Sequence, residues 1–168
     1  RDIPAFWDIL ADFQKENNET PKLVLRGMID NQIYQNLLKV FIPQNIDVAK
    51  SVSHQQVKEL YKESFVLLLI MNKTENAKGH LPGKLFEYIA TGRWVLGIGD
   101  PDGEAARILK NTGTGRVVHW EDKKGMLECL KFFKSKYSIH ELPRRINIEK
   151  FTRSNLTNEL ASYLNELV

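Results

Sequence analysis

A helix that opens Pro82-Gly83-Lys84 and carries Glu87 one turn further on has the parts of an anion receptor with a hydroxyl-binding group beside it. The residues just before it, Gly79, His80 and Leu81, offer none of the Ser, Thr, Asp or Asn side chains that usually cap a helix. Its first amides therefore lack an obvious internal acceptor. Pro82 suits the first helical position because it has no N–H to leave unpaired, and Gly83 lets a ligand come close to the backbone. The amides of Gly83, Lys84 and Leu85 are expected to face outward. Such a helix start attracts anions through those donors and through the positive end of the helix dipole, by about 0.3–1 kcal/mol at a surface and up to about 2 when partly buried. Lys84 adds a full charge.

Glu87 follows Lys84 by three residues and shares its face, whereas Leu85, Phe86, Ile89 and Ala90 are expected to form the opposite, buried face. A carboxylate can accept two hydrogen bonds from vicinal hydroxyls, as on a ribose. Phosphate and ribose together point to a nucleotide, with Lys84 and Glu87 as the candidate binding pair. The same spacing also suits a solvated helical pair of little energetic weight. Better-known phosphate motifs are not met: Gly79-His-Leu-Pro-Gly-Lys has three residues where the P-loop needs four, and no Ser or Thr follows the lysine. Gly97-x-Gly99 places Asp102 where a dinucleotide fingerprint requires its third glycine.

The elements that must position this helix alternate along the chain. Ile3, Phe6, Leu10 and Phe13 recur at helical spacing, and Lys22 to Gly27 reads as a short buried strand. Asp30 caps a helix bearing Ile33, Tyr34, Leu37 and Leu38, and a weaker strand falls near Ile46 to Val52. Ser53 with Gln56 makes a capping box for a helix with Val57, Leu60 and Tyr61 inward. Phe65 to Met71 is a continuous apolar run, the pattern of a strand covered on both faces, and is expected at the centre of a parallel sheet. A helix from Pro82 to Thr91 closes at Gly92, and Arg93 to Ile98 forms the next strand. A self-capped helix over Asp100 to Lys110, with acid at its start, is expected to repel phosphate, although Glu104 could still sit near a sugar. Gly115 to Trp120 is a strand, and Lys123 to Phe133 a helix with Met126, Leu127, Leu130 and Phe133 inward. Thr152 caps a last helix expected to bury Leu156, Leu160, Leu164 and Leu167.

Repeated strand-then-helix order over 168 residues argues for a single α/β domain, a Rossmann-like open, mostly parallel sheet with helices on both faces. Such sheets bind ligands beyond the carboxyl ends of their strands. The loop Asn72 to Pro82 leaves one of those ends, which directs attention back to the Pro82 helix.

Composition narrows the class. Apolar residues at 42% and charged residues at 27% lie in the ordinary globular range, and no apolar run is long enough to cross a bilayer. The single Cys129 excludes an internal disulfide and suits a reducing, cytoplasmic setting. His54, His80, His119 and His140 lack ligand spacing, so no metal site is expected. Asn18, Asn72 and Asn155 each begin an Asn-x-Thr pattern of the kind that also arises by chance. A net charge of +3, without interleaved aromatic and basic residues along a strand, gives no reason to expect nucleic acid. Lys131, Lys134, Lys136, Arg144, Arg145, Lys150 and Arg153 do make the region between Lys131 and Arg153 basic. That is either a solvated face or a contact for an anionic inner membrane surface.

The combination HLPGKLFEYIATGRWVLGI followed by DGEAARILKNTGTGRVV resembles the donor-binding, C-terminal half of GT-B fold glycosyltransferases of the retaining family-four group. Arg1-Asp-Ile-Pro-Ala-Phe, Leu25-x-Gly27 and Ser51-Val52-Ser53-His54 are also similar to segments of that half, so the likeness spans nearly the whole chain. It implies that the donor diphosphate is received by Gly83, Lys84 and Leu85 and that Glu87 holds the ribose. Val52 would then lie at the strand end that contacts the base, and Arg1 at the end of a basic motif that also meets the diphosphate. The family places a further glutamate where this chain has Gly79, and His80 is the candidate to supply that group's role toward the transferred sugar. The implied reaction is transfer of a sugar from a nucleotide diphosphosugar with retention, with Lys84 and Glu87 as the catalytic residues, without a required metal, and with an N-terminal acceptor domain outside this fragment. The rival expectation is a noncatalytic nucleotide or nucleotide-sugar binding module.

Overall fold

The computed structural model describes residues 2–17 and 22–166. Arg1 and Leu167, and the first of the Asn-x-Thr patterns, lie outside the described residues. Helix α1 (Pro4–Glu16) is followed by strand β1 (Leu23–Arg26), helix α2 (Asn31–Val40), strand β2 (Ile46–Ala49) and helix α3 (His54–Glu63). Then come β3 (Val66–Ile70), α4 (Gly83–Thr91), β4 (Trp94–Ile98), α5 (Glu104–Thr112), β5 (Gly115–Val118), α6 (Lys123–Ser138) and α7 (Arg153–Asn165). The α/β alternation expected from the sequence is present.

All strand pairs are parallel: β1 with β2, and β3-β4-β5 as a second ladder. Alternate residues of the central strands feed two cores, as the two-residue period of a strand requires. Trp94, Leu96 and Ile98 face a cluster with α1, α2 and α6, while Val95 faces another with α4 and α5. Leu23, Leu25 and Ile46 of the two-stranded sheet pack against the first cluster, so both sheets contribute to that core. Helices therefore cover both faces.

Two placements differ from the sequence reading. The apolar run ending at Met71 is not central: β3 takes an outer position in its ladder and β4 the middle. Every residue of β4 is buried, against alternate ones in β3. Glycines make that possible, because a Cβ at Gly97 would come 2.7 Å from Val117, and one at Gly115 would come 2.2 Å from the Val95 carbonyl oxygen. Close approach of backbones, not length of apolar run, decided the centre. The last helix also departs from expectation: Leu156, Leu160 and Leu164 are 50%, 58% and 55% exposed, so the described part of α7 buries none of its apolar stripe.

Between α6 and α7 the chain runs as a strap across the amino ends of the central strands. Trp94 Nε1 donates to the Glu141 carbonyl at 2.8 Å, Ile146 N–H donates to the Thr112 carbonyl at 3.0 Å, and Arg145 donates to the Ala90 carbonyl at 3.3 Å. Phe151, at the end of the strap, meets Phe86 of α4 with ring centroids 5.5 Å apart.

Candidate functional site

Helix α4 is set against one face of the paired strands β3 and β4 by Leu85, Tyr88 and Ile89, all buried. Tyr88 takes the place expected for Ala90, which is exposed, and Phe86 is only half-buried. The helix ends at Gly92 in the left-handed region (φ 72°), as the sequence indicated. Its start is one residue later than expected. Pro82 is the capping residue, with extended backbone, and Gly83 is the first helical one. No side chain among the described residues caps the helix.

The free donors are fewer than the sequence implied. The Leu85 N–H donates to the Pro82 carbonyl at 2.9 Å, so this amide already has an internal acceptor, and the Leu85 side chain is fully buried. Gly83 and Lys84 retain outward-facing roles: both are exposed, and a Cβ built on Gly83 meets nothing within 4 Å. Glu87 is exposed on the same side, and neither it nor Lys84 forms a salt bridge among the described residues. An anion at this point would meet two backbone N–H groups, the dipole of a nine-residue helix and an unpaired ammonium.

Beside Glu87 lie two phenols that the sequence reading did not assign to the site. Tyr61 of α3 and Tyr88 of α4 pack edge to face, with centroids 5.1 Å apart. Burial raises both hydroxyls above the ordinary tyrosine range, and the Glu87 carboxylate raises them further, so its charge is felt at the seam between the two helices. Both phenols remain neutral donors at physiological pH. The inward stripe of α3 contained the signal for Tyr61, but nothing in the sequence related it to α4.

The remaining sequence-predicted residues lie outside α4. His80 is exposed in the loop before α4, with its N–H donated to the Ala77 carbonyl at 3.2 Å. Gly79 sits in a short 3₁₀ turn where an added Cβ meets nothing within 4 Å, so the position has room for a side chain. Val52 is half-buried in the segment after β2, which ends at Ala49, three residues earlier than expected. Arg1 lies outside the described residues.

The neighbouring helix does not cap itself with acid as expected. α5 starts at Glu104 with Gly103 as its cap and no side-chain bond there. The Asp100 carboxylate instead accepts the Asp102 N–H at 2.9 Å, closing a turn before the helix. Local turn chemistry won over helix capping at this position. Glu104 is held by Arg107 at 2.5 Å.

Two cavities of ≈ 330 and ≈ 280 Å³ flank the end of α1, lined in part by Phe13, Lys131 and Lys134 in one and by Ala11 and Ile42 in the other. Neither reaches α4. Among the described residues no group of three His, Cys, Asp or Glu side chains converges as a metal site, and no helix is long and apolar enough to cross a membrane. No protein-family model matches the chain, and no curated protein matches it either.

Proposed function

We propose that this chain is the donor-binding part of a retaining glycosyltransferase that takes a nucleotide diphosphosugar. The observation that carries the reading is the start of α4: a helix without a side-chain cap, two open amides at Gly83 and Lys84, and Glu87 on the same exposed side. The diphosphate is received by those amides and Lys84, the ribose by Glu87, and the base near Val52, with His80 beside the sugar. As the bond between the anomeric carbon and the diphosphate oxygen breaks, negative charge grows on the departing diphosphate, and the helix start and Lys84 stabilise it. The acceptor hydroxyl forms the new bond on the face the diphosphate leaves, and its proton passes to the departing diphosphate oxygen. Acceptor recognition belongs to a second, N-terminal domain, so the chain alone binds nucleotide weakly and transfers no sugar.

Calorimetric titration with UDP, GDP and their sugars tests the binding step, and a transfer assay on the chain joined to an acceptor domain tests the chemistry. Loss of binding in Lys84→Ala and Glu87→Ala is the expected result. Unchanged binding in both variants would remove the site assignment, and binding without transfer by the joined protein would favour a noncatalytic nucleotide-binding module.

A cytoplasmic location with peripheral contact at the inner face of a membrane belongs to the same proposal, supported by the basic region from Lys131 to Arg153. Three of its members have other partners: Lys134 donates to Asn17, Lys136 pairs with Glu141 at 2.7 Å, and Arg145 binds the end of α4. Arg144 is the better residue to test, because it is exposed and its substitution leaves those contacts intact. Anionic liposome binding that survives Arg144→Ala together with Lys150→Ala would refute membrane contact through this face.

A further inference from the structure

The twelve-residue course from Met71 to Pro82 leads from the carboxyl end of β3 into α4, and it is fastened to elements that come later in the chain. At its beginning the Trp120 indole N–H donates to the Met71 carbonyl at 2.9 Å. Two residues further along the loop and one along the turn, Lys73 pairs with Glu121, whose carboxyl group this ammonium holds below the usual carboxylate range. The Glu121 N–H in turn donates to His119 Nδ1 at 3.2 Å, which fixes the turn that carries both residues. Near the loop's other end the Lys78 carbonyl lies against Gly103, where a Cβ would come within 3.2 Å of it. Trp120 also packs against both cores, so the fastening is made to the rigid body of the domain.

We propose that Trp120 and Glu121, on the turn after β5, are positioning residues that set the course of the 72–82 loop into the α4 anion site. The role toward a ligand rests on the nucleotide reading above. The fastening of the loop itself does not. A long unpaired loop samples many conformations, and ties near both ends remove that freedom before a ligand arrives.

Hydrogen–deuterium exchange and calorimetry on the full chain, with UDP and GDP as probes, test this. Lys73→Glu and Glu121→Lys are each expected to raise exchange of the 72–82 amides about two- to five-fold, the scale of one exposed ion pair. Reversing both charges together should restore it. Trp120→Phe, which keeps a ring but loses the donor to Met71, should raise it by about two- to ten-fold. Affinity for whichever nucleotide binds should fall and recover in step, while the melting temperature of the charge variants stays within ~2 °C of the unaltered chain. Unchanged loop exchange in the single reversals, or no recovery in the double, would overturn the inference. So would loop exchange that moves while nucleotide affinity stays constant. If the loop responds as expected yet the unaltered chain binds neither nucleotide, the fastening stands and the nucleotide reading fails.

Discussion

Helices α3 and α4 are neighbours of nearly equal length that begin in opposite ways. At α3 the Ser53 hydroxyl accepts the Gln56 N–H and the Gln56 side chain accepts the Ser53 N–H, a reciprocal pair that leaves this end of the helix occupied. At α4 Pro82 takes the cap position and Leu85 that of Gln56, neither with a side chain able to make such a bond, and of the first three amides only that of Leu85 finds an internal acceptor. Both helices are anchored along their sides, α3 lightly through Tyr61 and α4 deeply through Leu85, Tyr88 and Ile89. A helix held by its buried face can leave its start open, whereas one with no buried residue needs its cap. The contrast separates an end built for stability from an end free to receive something else.

The sharpest way to break that contrast is to give α4 the acid that α3 lacks a need for. Gly83→Asp has open space for its side chain and places a carboxylate where the diphosphate is proposed to sit. Nucleotide affinity, read by calorimetry, should fall on the order of a hundred-fold or more, since like charges a few ångström apart at a partly screened surface repel by several kcal/mol. The helix itself should gain about 0.3–1 kcal/mol from the favourable dipole, visible as an unchanged or slightly raised melting temperature. Equal affinity in this variant would show that no anion binds there.

Lys84→Ala comes next, with an expected loss of about ten- to a hundred-fold in nucleotide affinity, the range for a hydrogen bond to a charged group, and no loss of thermal stability. The matching change at the other helix, Ser53→Ala, should do the reverse. It should cost about 1 kcal/mol of stability, a fall of about 2–4 °C in melting temperature for a chain of this size, with nucleotide affinity unaltered. The smallest effect is expected at the far end of α4, where Arg145→Ala removes the cation beside the last carbonyls. Chemical denaturation should show a loss of about 0.3–1 kcal/mol, again without change in affinity. An affinity change at Ser53 or Arg145 equal to that at Lys84 would mean that global stability, and not a local site, governs binding.

Much of this arrangement could be read from local residue patterns. Asp30, Ser53 with Gln56, and Thr152 cap the helices they were expected to cap, because each bond closes within three residues and needs no distant partner. Ile3, Phe6, Leu10 and Phe13 are all buried, as their helical spacing required. What escaped depended on contacts far along the chain. The central place of β4 follows from glycines that admit Val117 and Met71, and their partners could not be known beforehand. The stripe on α7 has the spacing of a buried face but no neighbour among the described residues that buries it, and periodicity alone cannot distinguish the two. At the site, Lys84 and Glu87 were legible as a pair, while the Pro82 carbonyl that takes the Leu85 amide depends on a one-residue shift of the helix start.

The strap formed by Glu141 to Ile146 gives the domain a floor. By occupying the last carbonyls of α4 and α5 and the indole at the foot of β4, it closes the side of the sheet opposite Lys84 with the chain's own backbone. The opposite rim, where strand ends and helix starts face outward together, is the one at which open parallel sheets bind ligands.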